Sequence, residues 1–454
     1  MIDFKQLVAS HRDAMIKDIE DLIKIPSVHD EDTIGENAPF GKNCRVALDA
    51  MLAIAKRDGY PSLDVEGYAG HVDIGEGEKT FAILGHLDVV PVDKDGWDTD
   101  PFTPTTIDGR MYGRGTADDK GPLVAGYYAA KIIDSLNLDT KYKTRVIFGC
   151  NEELGSSCVK YYFTKQPFPE AGFTPDGGFP VVYGEKSGTH ASLLGDFNDE
   201  KIISMHAGTR SNVVSDKCVV QLNGKLENYE TSFNAFLEQN KMQGTISCQD
   251  DITTLTLLGK AAHASTPELG VNAITFMANY LMTITTNPII HFVGGKLNEY
   301  YGKNLGVDHI GAMGPLTLNV GVISIENGKF TVVIDMRCPH DMDFDHLRST
   351  YQNFCDENNY TLDLEIGEAL FIDPNSDLIQ DLHNAYVAVS KDTTPPQTIG
   401  GGTYAKTMPN CVAFGPEFVG EDNMIHQNNE SISIDSLLQA TEIYVRALYS
   451  IYTK

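Results

Sequence analysis

Two acidic residues stand side by side after an apolar run, in the segment VIFGCNEELGSS (residues 146–157). Adjacent side chains on a strand point to opposite faces, so a strand that continued through this pair would give Glu152 and Glu153 separate roles. A carboxylate can ligate a metal ion, and it can also accept a proton from a water molecule that the metal activates. We predict Glu153 as a metal ligand and Glu152 as the general base.

Further candidate ligands follow a second apolar run and a glycine-rich loop. His86 and Asp88 form an H-x-D pair, in which the carboxylate can orient a metal-bound imidazole, although such a pair also occurs as a structural contact. Asp118 and Asp119 end the loop YGRGTADDKGP, which equally fits a turn that caps the next helix. The loop matches neither of the glycine-rich phosphate-binding motifs.

The last candidates are Asp176 in TPDGGFPVVYGEK and His426 in GEDNMIHQNNE. Taken alone, an Asp before two glycines is typical of a turn, and a loop histidine is typically solvated. Taken with the other candidates, these donors are all oxygen or imidazole nitrogen, which suits two hard to borderline cations such as Zn²⁺ or Mn²⁺. Two ions about 3.5–4 Å apart need a carboxylate that bridges them.

Composition and charge exclude several classes of partner. The chain has 454 residues, 42% of them hydrophobic, and a formal net charge of −28, which repels nucleic acid and anionic lipid. The first segment predicts an amphipathic helix without the apolar core of a signal peptide, and no apolar run approaches the roughly 18 residues of a membrane span. We expect a cytoplasmic protein. The eight cysteines lack any C-x-x-C spacing and are expected to be buried thiols.

Two continuously apolar runs, TFAILGHLDVVP (80–91) and TRVIFGCNEELG (144–155), predict parallel strands covered on both faces. The segment between them has helical periodicity after Pro122, a favourable residue for a first turn. Strand, helix and strand make a doubly wound α/β unit, in which ligands bind beyond the carboxyl ends of the strands. His86, Asp88 and the glutamate pair all fall at those ends.

The middle of the chain has a different pattern, in which strands and a helix occur twice in similar order. We interpret residues 186–370 as an inserted α+β lid domain with two pseudo-repeated halves. Residues 1–185 and 371–454 then form the catalytic domain, with a doubly wound mixed sheet.

The motifs GHLDVVP, GRGTADDKGP, NEELGS, PDGGFPVVYGEK and the His of GEDNMIHQNNE resemble the ligand motifs of the dinuclear metallopeptidase family. That family includes glutamate carboxypeptidase, aminoacylase, succinyl-diaminopimelate desuccinylase and the bacterial PepV-type dipeptidases, to which the chain is most similar. The resemblance implies two divalent ions, Zn²⁺ first and Mn²⁺ or Co²⁺ as alternatives. In some relatives a Glu stands where this chain has Asp176, and the Asp resembles the dipeptidase and aminopeptidase-like branches.

The resemblance also implies a role for each candidate. The ligands of one ion are His86 and Asp176, those of the other are Glu153 and His426, Asp118 bridges the ions, Asp88 orients His86, and Glu152 is the base.

Residues of the inserted domain and of two glycine-rich loops are similar to substrate contacts of the PepV type. His263 in GKAAHAST resembles a lid histidine that polarises the scissile carbonyl, although a capping or solvated role fits the sequence too. Asn212 in TRSNVVSD and Arg337 in IDMRCP resemble residues around the substrate carboxylate, which suits the bidentate fork of Arg, although a surface salt bridge is commoner. Gly400, Gly401 and Gly402 in IGGGTYAK would let backbone approach the substrate, or form an ordinary turn. Asp119 is included among the substrate contacts.

These implications predict a metal-dependent dipeptidase that hydrolyses unblocked dipeptides. The alternative with the same fold is a deacylase of N-acyl or N-succinyl amino acids, and the alternative from another class is a catalytically silent binding protein. The large, doubled lid resembles the PepV type and predicts a monomer, since the second half could stand where a partner subunit's lid stands in dimeric relatives.

Overall fold

The computed structural model describes residues 2–454 and divides into two compact units. Unit 1 comprises Met1–Gly184, Phe371–Gln397 and Thr403–Lys454, and unit 2 comprises Glu185–Leu370 and Thr398–Gly402. The short segment Thr398–Gly402 therefore belongs to unit 2, whereas the sequence predicts residues 371–454 as part of the catalytic domain.

The helices and strands up to Glu185 are α1 (Phe4–Ile23), α2 (Lys42–Arg57), β1 (Ser62–Val65), β2 (Ala69–Ile74), β3 (Lys79–His86), β4 (Thr105–Ile107), β5 (Arg110–Tyr112), α3 (Lys120–Ser135), β6 (Tyr142–Gly149), α4 (Ser157–Lys165), β7 (Ala171–Thr174), β8 (Gly177–Gly178) and β9 (Val182–Glu185).

The elements from residue 187 to residue 371 are β10 (Ser187–Asp196), β11 (Ile202–Ala207), β12 (Lys217–Asn223), α5 (Glu230–Asn240), β13 (Gln243–Gln249), β14 (Ile252–Leu258), α6 (Ala273–Leu281), α7 (Pro288–His291), β15 (Ile310–Gly311), β16 (Gly314–Pro315), β17 (Thr317–Glu326), β18 (Lys329–Cys338), α8 (Phe344–Asn358), β19 (Thr361–Ile366) and β20 (Leu370–Phe371). The remaining elements are α9 (Asp377–Ser390), β21 (Gln397–Ile399), β22 (Cys411–Ala413), β23 (Pro416–Glu417), β24 (Ser431–Ser433) and α10 (Ile434–Tyr452).

The main sheet of unit 1 contains the strand order β1-β2-β6-β3-β7-β22. β3 pairs in parallel with β6 and with β7, while β2 runs antiparallel to β6. The last six residues of both β3 and β6 are buried, as expected for continuously apolar strands with helices on both faces. The predicted α/β fold with a doubly wound mixed sheet is confirmed.

Helix α3 connects β3 to β6 and is buried almost all round, because α1, α10 and the sheet surround it. Its sequence is apolar on every face, which is the pattern of an interior helix. Pro122 lies in its first turn, as predicted. This burial anchors the loop before α3, which carries Asp118 and Asp119, to the centre of the unit.

Unit 2 contains an antiparallel sheet in the order β13-β14-β12-β11-β17-β18-β10-β19. β11 pairs with β17 at its centre. Outward from that pair the order is β11-β12-β14-β13 on one side and β17-β18-β10-β19 on the other. On each side a helix, α5 or α8, connects the hairpin to the outermost strand, so both halves have the same arrangement.

Seven of the eight cysteines are buried free thiols, as expected, but the thiol-bearing residue Cys248 is exposed. It lies on β13, an edge strand of unit 2 with little burial. Within residues 2–454, no helix combines the length and the apolarity that crossing a membrane requires.

Candidate metal centre

The carboxyl ends of the parallel strands in unit 1 carry the predicted ligands. His86 is the last residue of β3, and Asp176 follows the end of β7 by two positions. The glutamate pair differs from expectation, because β6 ends at Gly149 and Glu152 and Glu153 lie in the turn that follows. The alternation of side chains along a strand therefore does not give Glu152 and Glu153 different directions. The geometry of the turn must do this instead.

Asp88 holds that turn. Its carboxylate accepts hydrogen bonds from the backbone N–H of Glu152 at 3.1 Å and of Glu153 at 3.2 Å. His86 Nδ1 lies 3.0 Å from the backbone carbonyl oxygen of Asp88 and 3.5 Å from its nearer carboxylate oxygen. Asp88 thus orients His86 chiefly through its main chain, while its buried carboxylate aligns the two glutamates.

The five predicted ligands lie together as two groups with one shared member. One group is His86, Asp118 and Asp176, and the other is Asp118, Glu153 and His426. Asp118 Oδ1 lies 2.9 Å from His86 Nε2, and its Oδ2 lies 2.8 Å from His426 Nε2. One carboxylate therefore directs a different oxygen at each histidine, which is the orientation that a bridging ligand needs.

The donor set fits two divalent ions. Each group offers one imidazole and two carboxylates, and the ligand atoms of a group lie within 4.8 Å of one another. The Nε2 atom of His86 is 3.8 Å from Asp176 Oδ2, and that of His426 is 3.1 Å from Glu153 Oε2. Tetrahedral coordination with bonds near 2.0–2.1 Å separates ligand atoms by roughly 3.3 Å, which lies between these two distances.

Two groups of the cluster, His426 and Glu152, have raised pKa values. Hydrogen bonds to Asp118 and Glu153 raise the pKa of His426 to about 10. Because a ligating imidazole must be neutral, a metal ion has to displace that proton. The affinity of the site for the ion therefore decreases as the pH is lowered. Burial, together with the nearby carboxylates of Asp88 and Glu153, raises the pKa of Glu152 to about 8. A carboxyl that titrates near neutral pH is suited to accept and return a proton.

Asp119 has a different environment from the one predicted. It is fully buried, its Oδ2 accepts a hydrogen bond from the backbone N–H of His86 at 3.1 Å, and its Oδ1 has no partner among the described residues. Burial raises the pKa of this carboxyl well above its usual range. The predicted substrate contact of Asp119 is not supported, because the side chain faces the backbone of β3. The residue occupies the N-cap position of α3 without a capping side-chain hydrogen bond.

Unit 2 contains the predicted histidine in an exposed turn. His263 Nδ1 accepts the backbone N–H of Ser265 at 3.2 Å and lies 2.7 Å from Ser265 Oγ. Desolvation of the ring and the positive charge of Arg337 lower the pKa of His263. These contacts favour a neutral imidazole whose proton is on Nε2, where it is available to an acceptor.

Arg337 lies near the end of β18 and is held by a buried acid that the sequence analysis did not consider. Its Nε and Nη2 donate to Asp335 at 2.8 and 2.9 Å, and its Nη1 donates to the carbonyl oxygen of Gly400 at 3.2 Å. The side-on fork of the guanidinium is therefore occupied within unit 2. Nη1 and Nη2 each carry a second N–H, and these two N–H groups are what remains for a ligand.

Gly400, the first of the three predicted glycines, makes a close contact within unit 2. A Cβ at Gly400 would lie 2.5 Å from the Cβ of Ser265, whereas one at Gly401 would meet only Ile399 at 3.7 Å. Gly400 thus lets the loop pack on the turn that carries His263. Asn212 is exposed, and its carbonyl oxygen accepts the N–H of Ala264 at 3.0 Å.

The profile of the peptidase family M20/M25/M40 matches residues 82–450. A protein of Staphylococcus haemolyticus is 37% identical over 470 residues, with 99% of each chain covered, and one of Staphylococcus epidermidis is 36% identical over 465 residues with the same coverage. Both carry the name "Putative dipeptidase".

Among solved structures, human carnosine dipeptidase 1 has a TM-score of 0.59 at 16% identity, covering 99% of this chain and 98% of its own. Aminoacylhistidine dipeptidase from Vibrio alginolyticus has a TM-score of 0.59 at 14% identity, covering 96% of each chain. At such identities the likeness shows a shared fold. The profile match and the staphylococcal relatives show that this chain belongs to the peptidase family M20/M25/M40.

Proposed function

We propose that the protein is a metal-dependent dipeptidase that hydrolyses unblocked dipeptides, with Glu152 as general base. The observation that carries the proposal is the division of the Asp118 carboxylate between His86 and His426, with Glu153 and Asp176 completing the two groups. Two divalent ions held there would polarise the scissile carbonyl and lower the pKa of the attacking water. Zn²⁺ is the first choice, and Mn²⁺ and Co²⁺ have compatible ligand preferences.

The protein's own part in the reaction centres on proton transfer. Glu152 accepts a proton from the water molecule as its oxygen attacks the carbonyl carbon, and returns that proton to the amine nitrogen as the peptide bond breaks. The base stays free for this task because Asp88 aligns the turn through backbone N–H groups and leaves the carboxylate of Glu152 unused in that contact. One proton leaves the water and one reaches the leaving amine, so the carboxyl ends the step as it began.

We propose that residues of unit 2 bind two groups of the substrate, the scissile carbonyl oxygen and the terminal carboxylate. His263 would donate its Nε2 proton to the oxygen that becomes negative, which its contact with Ser265 favours. Arg337 would bind the substrate carboxylate through Nη1 and Nη2, next to the Gly400–Gly401 loop that accepts its Nη1. Asn212 would contribute to binding the same carboxylate. These assignments extend the family resemblance.

The names of the relatives favour dipeptides over acylated amino acids, and all six proposed ligand and base residues are present, which disfavours a silent binding protein. We further propose that the protein is active as a monomer, because the doubled sheet of unit 2 could supply both halves of a lid. We also propose that it acts in the cytoplasm.

A substrate panel tests the proposal. Metal-loaded protein would be incubated with a free dipeptide, its C-terminal amide, its N-acetyl form, and N-acetyl and N-succinyl amino acids, with Glu152→Gln as the blank. We expect the free dipeptide to be cleaved and the blocked forms to lose at least about tenfold in kcat/KM, since a blocked end leaves a buried charge unpaired. Faster hydrolysis of the acyl or succinyl amino acids would identify a deacylase, and no hydrolysis by fully loaded protein would refute the enzyme assignment.

The same panel tests Arg337. Arg337→Ala should raise the activation free energy that corresponds to kcat/KM on the free dipeptide by about 2–5 kcal/mol, if the ion pair is desolvated. It should have much less effect on the C-terminal amide. Equal losses on the two substrates would contradict the role.

A further inference from the structure

Glu430 is a buried carboxylate that none of the catalytic steps above uses. It is fully buried and lies four positions after His426, directly before β24. Its Oε1 accepts three backbone N–H groups, those of Gly115 at 3.0 Å, Ala117 at 3.0 Å and Asp118 at 3.2 Å. A single side-chain oxygen thus gathers most of the loop that carries the bridging carboxylate.

The second oxygen of this carboxylate is also engaged. Arg114 Nη1 donates to Glu430 Oε2 at 2.6 Å, and the Arg114 side chain is itself buried, 3% exposed. The carbonyl oxygen of Glu430 accepts the N–H of Gly113 at 3.0 Å, next to the antiparallel pairing of Ser431 with Tyr112. Through these contacts Glu430 joins the loop 113–118 to the loop 426–430, which are more than 300 residues apart in the chain.

The two candidate ion sites depend on this junction to different degrees. His86 and Asp118 have a second connection, because Asp119 accepts the backbone N–H of His86 and begins the buried helix α3. His426 has less support: Asn429 ties its loop to Asp98 with two hydrogen bonds, at 2.8 and 3.0 Å, but the His426 side chain itself is 53% exposed, whereas that of His86 is 0% exposed. The distance between Asp118 Oδ2 and His426 Nε2 is therefore set by how the two loops meet.

We propose that Glu430 is a positioning residue that selectively maintains the ion site formed by Asp118, Glu153 and His426. It acts through the backbone of the Asp118 loop and contacts no reacting atom. The inference rests on the proposed metal centre. It predicts that loss of Glu430 weakens the binding of the ion at Glu153 and His426 and leaves the binding of the ion at His86 and Asp176 nearly unchanged.

Metal binding by the whole protein tests this. Zn²⁺ content would be measured by elemental analysis after dialysis against chelator-buffered Zn²⁺, and the two dissociation constants by calorimetry, for wild type, Glu430→Gln and Glu430→Ala. We expect the alanine variant to weaken the second ion by about 10–100-fold and the first by less than about 3-fold, as for loss of a residue that supports a ligand. Glu430→Gln should fall between, because its amide oxygen can keep the three N–H bonds while its NH₂ faces a donor nitrogen of Arg114.

A matched control separates this role from general destabilisation. Asp18 is another buried carboxylate of unit 1, which accepts Arg57 at 2.6 and 2.9 Å and the hydroxyl of Tyr128 at 2.7 Å, away from the ligands. Asp18→Asn should lower the melting temperature without changing either dissociation constant. If Glu430→Ala does not fold, the glutamine variant decides the question.

A double-mutant cycle gives the second readout. In a His426→Ala background the second ion is already lost, so adding Glu430→Gln should change the remaining dissociation constant by less than about 2-fold, since the two substitutions act on one ligand set. Equal weakening of both ions by the folded Glu430 variants, or no weakening of either, would overturn the inference. Wild-type protein that binds fewer than two ions would instead refute the metal centre itself.

Discussion

Replacement of Asp88 by Asn should lower both metal affinity and turnover, because Asp88 aligns a ligand and the base together. The carboxylate accepts two backbone N–H groups, from Glu152 at 3.1 Å and Glu153 at 3.2 Å. An amide can accept one of them, but its NH₂ then faces the other donor. Loss of one hydrogen bond to a charged acceptor costs about 1.5–3 kcal/mol. At about 1.36 kcal/mol per factor of ten, the aligned turn becomes roughly 10–150-fold less favourable.

The assay needs two independent quantities. Zn²⁺ affinity would be measured by competition with a chromophoric chelator, and kcat and KM with a free dipeptide at saturating Zn²⁺. Asp73→Asn is the control, since Asp73 accepts Lys143 at 2.8 Å and Arg145 at 2.7 Å outside the candidate site and should leave both quantities within about 2-fold of wild type. An Asp88→Asn protein that matches this control in affinity and in kcat would refute the reasoning, because the turn would then be aligned without the carboxylate.

Glu152→Gln should keep both ions and lose about 10²–10⁴-fold in kcat, because an amide cannot take the proton of water. Metal content and steady-state kinetics check this, and near-normal turnover would show that Glu152 is not the base. Exhaustive chelation should abolish activity and added Zn²⁺, Mn²⁺ or Co²⁺ should restore it, so full activity at a metal content confirmed as negligible would contradict the centre. Burial lowers the pKa of His71 to about 4, and the hydroxyl oxygen of Tyr162 lies 2.8 Å from its Nδ1. Since the unfolded chain protonates His71 near pH 6.5, neutral His71 should contribute up to about 3 kcal/mol less to the free energy of unfolding as the pH drops from 6.5 towards 4. Denaturation curves of His71→Gln should lack this part of the pH dependence. Mixing inactive Glu152→Gln with inactive His263→Ala should restore no activity if the protein acts as a monomer, and recovery after subunit exchange would show shared sites.

The local pattern of the chain determined much of the fold. The apolar runs before His86 and before the glutamate pair identified two parallel strands, because a strand buried on both faces needs apolar side chains at every position. The segment after Pro122 identified the buried crossover helix for the same reason. The residue types at the ends of these strands limited the chemistry to oxygen and imidazole donors. Each of these features depends on neighbours a few positions away.

The arrangement of the donors was decided by contacts between distant parts of the chain. The sequence pattern continued β6 through Glu152, but the strand ends at Gly149 and the carboxylate of Asp88, 64 residues earlier, sets the turn. The meeting of the Asp118 and His426 loops depends on Glu430, which lies 312 residues from Asp118. Periodicity reports only whether a residue is buried, whereas hydrogen bonds between loops depend on where the folded strands bring those loops. Which carboxylate ligates, which positions and which stays free is therefore a property of the tertiary structure.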